Sequence, residues 1–124
     1  MKTLRCLTLN LWGAEPPLEQ RMAVVIQGLR RLAPDIVTLQ EVREVPGQLP
    51  NQADTLARAA GFDHVFAPAT PFGGGHEGLA VLSHLPIVEH VALELPHAEP
   101  KERRILLSAR VRNEQGNVWV HTTH

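Results

Sequence analysis

Between residues 3 and 41 the apolar pattern changes period twice, and this change limits the possible folds more than any other feature of the chain. Residues 3–10, TLRCLTLN, are short and rich in Leu and Thr, and predict a strand that ends at Asn10. Gly13 and the pair Pro16-Pro17 then break regular structure. From there Leu18, Met22, Val25, Ile26, Leu29 and Leu32 recur at intervals of three and four, one face of a helix, with Arg21, Gln27, Arg30 and Arg31 mostly off it. Pro34 disfavours helix at Ala33 and ends it. Residues 35–41, DIVTLQE, read as a second, buried strand. Strand, helix and strand in this order predict a βαβ unit. Its right-handed crossover makes the strands parallel and brings their C-terminal ends to one edge of a sheet.

Beyond this unit, Pro46, Gly47 and Pro50 mark a loop, and residues 51–60 read as a second helix with Leu56 and the alanines inward and Gly61 as its stop. A short strand is expected at 64–67, a flexible loop at 68–75 (PATPFGGG), and a buried strand at 79–83 (LAVLS) closed by Pro86. Residues 87–95 alternate weakly. Residues 104–112 alternate better, with Ile105, Leu107, Ala109 and Val111 facing one way. A polar turn at 113–117 leads to a last strand, Val118 to Thr123, paired with the preceding one as a hairpin. The succession predicts an α/β or α+β fold, a mixed sheet with helices on one face. Cys6 is expected to be a buried, inert thiol, and Trp119 to pack.

A chain of 124 residues suits one domain. Its net charge of −1 lacks the basic excess of a protein that lives on DNA phosphates. With 44% hydrophobic and 20% charged residues, wholesale disorder is not expected. The single cysteine excludes an intrachain disulfide and a cysteine-based zinc site. No apolar run approaches the ~18 residues of a transmembrane helix. The start, Met-Lys-Thr-Leu-Arg-Cys, lacks the apolar stretch of a signal peptide, so a cytoplasmic location is expected.

Ligands of open sheets bind where parallel strands end, and here the polar residues at those ends are Asn10 and Glu41. An amide oxygen and a carboxylate are hard donors that suit Mg²⁺ or Mn²⁺. From spacing alone, a turn asparagine and an ion-paired glutamate remain the commoner reading. His121 and His124 stand three apart, which on a strand puts their rings on opposite faces, so they form no chelate and His121 is structural or exposed. The run Gly73-Gly74-Gly75 lacks the Gly-Lys-Ser/Thr ending of a P-loop and reads as a mobile rim. Beside it, His76 and Glu77 are loop residues within reach of a substrate; a solvated loop histidine is the commoner reading of His76, and Glu77 is equally a plain loop charge. Arg103 and Arg104 precede a strand, and either one is a candidate for bidentate phosphate contacts. Trp12, after Asn10, is a candidate site wall.

TLNLWG (8–13), PDIVTLQEV (34–42), EGLAVLSHLPI (77–87), ERRILLSARV (102–111) and VWVHTTH (118–124) occur in this order across essentially the whole chain. In this the sequence resembles the endonuclease/exonuclease/phosphatase superfamily, which includes deoxyribonuclease I-like nucleases, AP endonucleases, sphingomyelinases and inositol-phosphate phosphatases. The resemblance implies that Asn10 and Glu41 are metal ligands. It also implies that His124, at the histidine of the family's N-T-H-L block, hydrogen-bonds the scissile phosphate. The reaction it implies is metal-assisted, in-line attack of water on a phosphoester.

The fold implied is a four-layer α/β/β/α sandwich, of which residues 1–124 would form a truncated N-terminal half. Neither the G-D-x-N nor the S-D-H block of the family occurs in the sequence. The chain is therefore expected to hydrolyse nothing useful alone. Its sheet is expected to keep a bare inner face that favours self-association or a missing C-terminal half. The alternative is a non-catalytic half-domain that acts as an interaction module through that face. The near-neutral charge, and N-L-W-G in place of the W-N-x-N-G of AP endonucleases, favour a small phosphodiester, phospholipid head group or phosphorylated metabolite over duplex DNA.

Overall fold

The expected βαβ unit is present. Strand β1 (Cys6–Asn10) and strand β2 (Ile36–Glu44) flank helix α1 (Leu18–Leu32), and the strands pair in parallel from Cys6↔Ile36 to Asn10↔Gln40. The computed structural model describes residues 3–99 and 103–124. Helix α1 stops where Ala33, barred from helix by the following proline, turns left-handed (φ 47°) and its N–H bonds the Leu29 carbonyl. Helix α2 (Gln52–Ala60) starts at Asn51, whose Oδ1 accepts from the N–H groups of Ala53 and Asp54 at 2.9 and 3.1 Å. It ends at Gly61, also left-handed. Strands β3 (Asp63–Phe72) and β4 (Gly75–Ser83) complete a sheet of order β1-β2-β4-β3. Strands β5 (Ile87–Glu94), β6 (Ile105–Asn113) and β7 (Gly116–Thr123) form a second, antiparallel sheet of order β5-β6-β7, with β6 and β7 as the expected hairpin.

Strand alternation sorts the side chains into two cores. Val37, Leu39 and Val42 of β2 and Ala80 and Leu82 of β4 meet Leu29, Ala53, Leu56 and Ala57 of the helices. Ile36, Leu79 and Val81 point the other way and meet Ile105, Leu107, Ala109 and Val111, the four residues of β6 expected to share a face. The result is a mixed α/β fold of three layers, helices on sheet on sheet, consistent with half of a four-layer sandwich. No helix among the described residues is long and apolar enough to cross a membrane.

Four expectations are corrected. The segment 68–75 is no flexible loop. It closes a hairpin in which Gly73 and Gly74 both adopt positive φ (51° and 87°), the turn that matches strand twist, so His76 and Glu77 lie on a strand. The inner face of the first sheet is not bare, because the strands after Pro86 fold over it as a second sheet rather than extending it. Cys6 is exposed. The second sheet packs across β2, β3 and β4, and β1 lies at the edge, its Leu7 and Leu9 against the helices while Cys6, Thr8 and Asn10 stay open. Trp119 is 44% exposed, on the outer face of the second sheet, which also carries exposed Val91 and Leu93.

Candidate metal and phosphate site

The strand ends that the βαβ unit brings together are not regular. Pairing between β2 and β4 shifts between Leu39 and Val42, and inside this bulge Glu41 adopts φ 55°. Just past Asn10, Trp12 adopts φ 57°. Left-handed backbone at a residue other than glycine costs about 1–2 kcal/mol, and such strain gathers at functional sites.

Asn10 is held at both ends of its amide. Its Oδ1 accepts from the Trp12 N–H at 2.7 Å, and its Nδ2 lies 3.4 Å from Nε2 of His124. The Trp12 contact fixes which end is oxygen, so the Nδ2 end can only donate, and Nε2 of His124 must accept. In a neutral ring this contact leaves the proton on Nδ1. Gln40 ties the same strands together below this contact: its Nε2 donates to Oγ1 of Thr8 at 3.1 Å and to Oγ1 of Thr122 at 3.0 Å, joining β1 and β2 to β7. Residues far apart in sequence, from two sheets, thereby meet at one corner.

Glu41 lines a small open cleft together with Thr70, Glu77, Leu79, Arg104 and His124. Among the described residues no hydrogen bond or ion pair engages the Glu41 carboxylate. Glu77 is engaged: its Oε2 accepts from Nε of Arg43 at 2.6 Å, and the Arg43 guanidinium lies 3.9 Å from the centre of the Phe72 ring. The structure therefore gathers Asn10, Glu41, His124, Arg104 and Glu77 at one corner, with Glu77 committed to Arg43.

It leaves two candidates outside. His76 lies on the other face of β4 from Glu77, its Nδ1 3.8 Å from Oε2 of Glu44. Arg103 lies with its Nε 3.5 Å from Oε1 of Glu94, away from the cleft. That carboxylate also meets Nε2 of His97 at 2.8 Å. The hydrogen bond to His97, and then the Arg103 charge, hold Glu94 below the usual carboxylate range. The same bond, with a second to the Glu99 carbonyl, raises His97. Trp12 is 61% exposed with the Arg21 guanidinium 5.1 Å from its ring, and it does not line the cleft.

Among the described residues no three His, Cys, Asp or Glu side chains converge. The donors at this corner are one amide oxygen and one unpartnered carboxylate, both hard. That set fits a cation such as Mg²⁺, which keeps several waters and takes few protein ligands.

Gln40, Arg43 and Gln52 were missed in the sequence. A signal existed for one of them: Gln52 stands four residues before Leu56, on the inward face of its helix, where a polar residue needs a buried partner.

A model of the Endonuclease/Exonuclease/phosphatase family matches residues 7–123. Among solved structures the chain is similar to an endonuclease/exonuclease/phosphatase family protein from Leptotrichia buccalis, at 16% identity and a TM-score of 0.85, covering 98% of this chain and 55% of that one. It is similar to an endonuclease/exonuclease/phosphatase from Beutenbergia cavernae, at 27% identity and a TM-score of 0.74, covering 98% and 38%. The human Nocturnin catalytic domain, solved with a bound sulfate anion, matches at 19% identity and a TM-score of 0.74, covering 98% and 49%. The chain thus spans about half the length of these structures or less. No curated protein matches it.

Proposed function

The chain belongs to the Endonuclease/Exonuclease/phosphatase family, and from that premise we propose that it carries one side of the active site of a Mg²⁺- or Mn²⁺-dependent phosphoester hydrolase. The observation that carries this reading is Glu41, an unpartnered carboxylate on a strained bulge, in the cleft shared with Arg104 and His124.

Asn10 and Glu41 would hold the cation, which when bound polarises a phosphoryl oxygen and makes water a better nucleophile. The remaining work belongs to the chain's own groups. With Nε2 of His124 occupied by Asn10, its Nδ1–H is the donor left for a phosphate oxygen. Arg104 supplies a planar guanidinium suited to two phosphate oxygens at once. Such donors stabilise charge that grows in the transition state. In the family, the Asp of a G-D-x-N block orients or activates the water; no such block occurs in these 124 residues, and assayed by themselves they are expected to hydrolyse nothing at a useful rate. The net charge of −1, and N-L-W-G in place of W-N-x-N-G, favour a small phosphodiester, phospholipid head group or phosphorylated metabolite over duplex DNA.

Titration of the 124-residue chain with Mn²⁺, followed by electron paramagnetic resonance, tests the site. Binding is expected in the wild type and lost in Glu41→Ala; equal binding by both overturns the metal assignment. Multiple-turnover hydrolysis of bis(p-nitrophenyl) phosphate that Glu41→Ala abolishes would overturn the claim of inactivity alone. A second reading, a non-catalytic interaction module, is favoured by the exposed Val91, Leu93 and Trp119 on the outer face of the second sheet. A chain that captures a protein partner through this face and binds no Mn²⁺ would support it.

A further inference from the structure

We propose that Gln52 is a positioning residue for this site, holding the loop after Asn10 against the bulge that carries Glu41. The inference rests on the metal-site reading above and deepens it.

Gln52 is the first residue of α2 and is only 1% exposed. A long polar side chain is rarely buried so completely unless its amide is fully used. Here both ends are used, and both partners lie outside α2. Its Nε2 donates to the Gly13 carbonyl at 2.9 Å, and its Oε1 accepts from the Arg43 N–H at 2.9 Å. Gly13 stands three residues after Asn10, and Arg43 two residues after Glu41. Among the described residues, Gln52 is the one side chain that hydrogen-bonds both segments.

These two segments also carry strained backbone. Trp12 and Glu41 have φ values of 57° and 55°. Such conformations persist only where the surroundings over-determine them. The loop is held from α1 by Arg21, which donates to the carbonyls of Leu11 and Glu15 but does not reach the bulge. The seam between loop and bulge is closed by a backbone bond from the Leu11 N–H to the Gln40 carbonyl at 2.9 Å, by Gln52 and by Arg43. The Arg43 guanidinium, fixed by Glu77, lies so close to Gly13 that a Cβ there would sit 2.4 Å from its Cζ.

Two short relays follow from this geometry. Gln52 fixes Gly13, next to Trp12, whose N–H orients the Asn10 oxygen. Gln52 also fixes Arg43, at the exit of the bulge that sets Glu41. Groups that orient metal ligands without touching the metal commonly change affinity about 10–100-fold when removed.

The test compares Mn²⁺ affinity in the 124-residue chain for wild type, Glu41→Ala, Gln52→Met, Gln52→Glu and Val111→Ala, each at a temperature where circular dichroism shows it folded. Gln52→Met keeps the volume and removes both bonds. Gln52→Glu keeps the acceptor for the Arg43 N–H and sets an oxygen against the Gly13 carbonyl. Val111→Ala opens the core between the sheets, at the other end of β6, and controls for lost stability. The expected result is a Kd raised about 10–100-fold in both Gln52 variants and unchanged in Val111→Ala. Gln52 variants that bind as tightly as wild type, while Glu41→Ala does not bind, overturn the role of Gln52 and leave the metal site standing. Wild type binding no better than Glu41→Ala overturns the metal reading and this inference with it. Should Gln52→Met fail to fold, Gln52→Glu decides, with faster amide exchange expected at Gly13–Glu15, the side whose bond it removes. Unchanged exchange there overturns the proposal.

Discussion

Strands β4 and β5 follow one another in sequence and have nearly equal length, nine and eight residues, yet only β4 is sealed from solvent along most of its course. From Gly78 to Ser83 every residue of β4 is buried, because helices cover one face and the second sheet covers the other. In β5 no residue is fully buried. It is an edge strand whose sheet is covered on one side only, and Glu89, His90 and Glu94 break up its apolar residues. A continuous apolar run thus reports two covered faces, and a broken one reports an open face or an open edge.

The largest expected effect sharpens this contrast. Leu82→Ala removes a side chain with no exposure from the helix-facing core and should cost about 3 kcal/mol, whereas Leu93→Ala on the outer face of the second sheet should cost less than about 0.5 kcal/mol. Urea unfolding of the 124-residue chain measures both. Similar losses would mean that the outer face is buried in solution, for instance against a second copy.

A smaller effect, of opposite sign, is expected at the bulge. Glu41→Gly should stabilise the chain by about 1 kcal/mol, since glycine accepts φ 55° without strain, while Mn²⁺ binding is lost. Glu41→Ala keeps the strain and should show no such gain. A melting temperature for Glu41→Gly at or below that of Glu41→Ala would show that the bulge is not strained.

The smallest effect concerns the surface cluster of Glu94, His97 and Arg103. His97 is raised, so its contribution is complete below the usual histidine value of 6.5 and fades as pH rises through the higher folded value. Glu94 is lowered, so its contribution is complete above the usual 4.5 and fades as pH falls through the lower folded value. Between these limits both are present. His97→Gln should reduce the gap in melting temperature between pH 5.5 and pH 8.5 by a small amount; an unchanged gap would mean the pair adds nothing to stability.

Much of the fold was legible because period and punctuation agreed. Residues 18–32 repeat every three to four positions and stop before Pro34, and 105–111 alternate, so α1 and the inward face of β6 follow directly. The hairpin of β3 and β4 was hidden by Pro68 and Pro71, which read as loop. They are tolerated because β3 is an edge strand, where a missing N–H need not break a ladder. Glycine at 78 has a reason only in three dimensions: the bulge in β3 brings the Ala67 carbonyl to 2.0 Å from where its Cβ would lie.

The candidate site divides in the same way. Asn10 and Glu41 could be placed at one sheet edge from the sequence, because the handedness of a βαβ crossover is a local property of chain chirality. Contact between Asn10 and His124, separated by 114 positions, depends on how one sheet lies on another, and no local pattern encodes that. The same holds for Gln52, whose two partners come from segments 39 and 9 residues away. What the sequence determined by itself was the order and kind of most elements, and the two oxygen donors at their ends. Tertiary structure alone decided which faces were covered, which carboxylate stayed unpartnered, and which buried amide joins the two strained segments, because each depends on packing between residues distant along the chain.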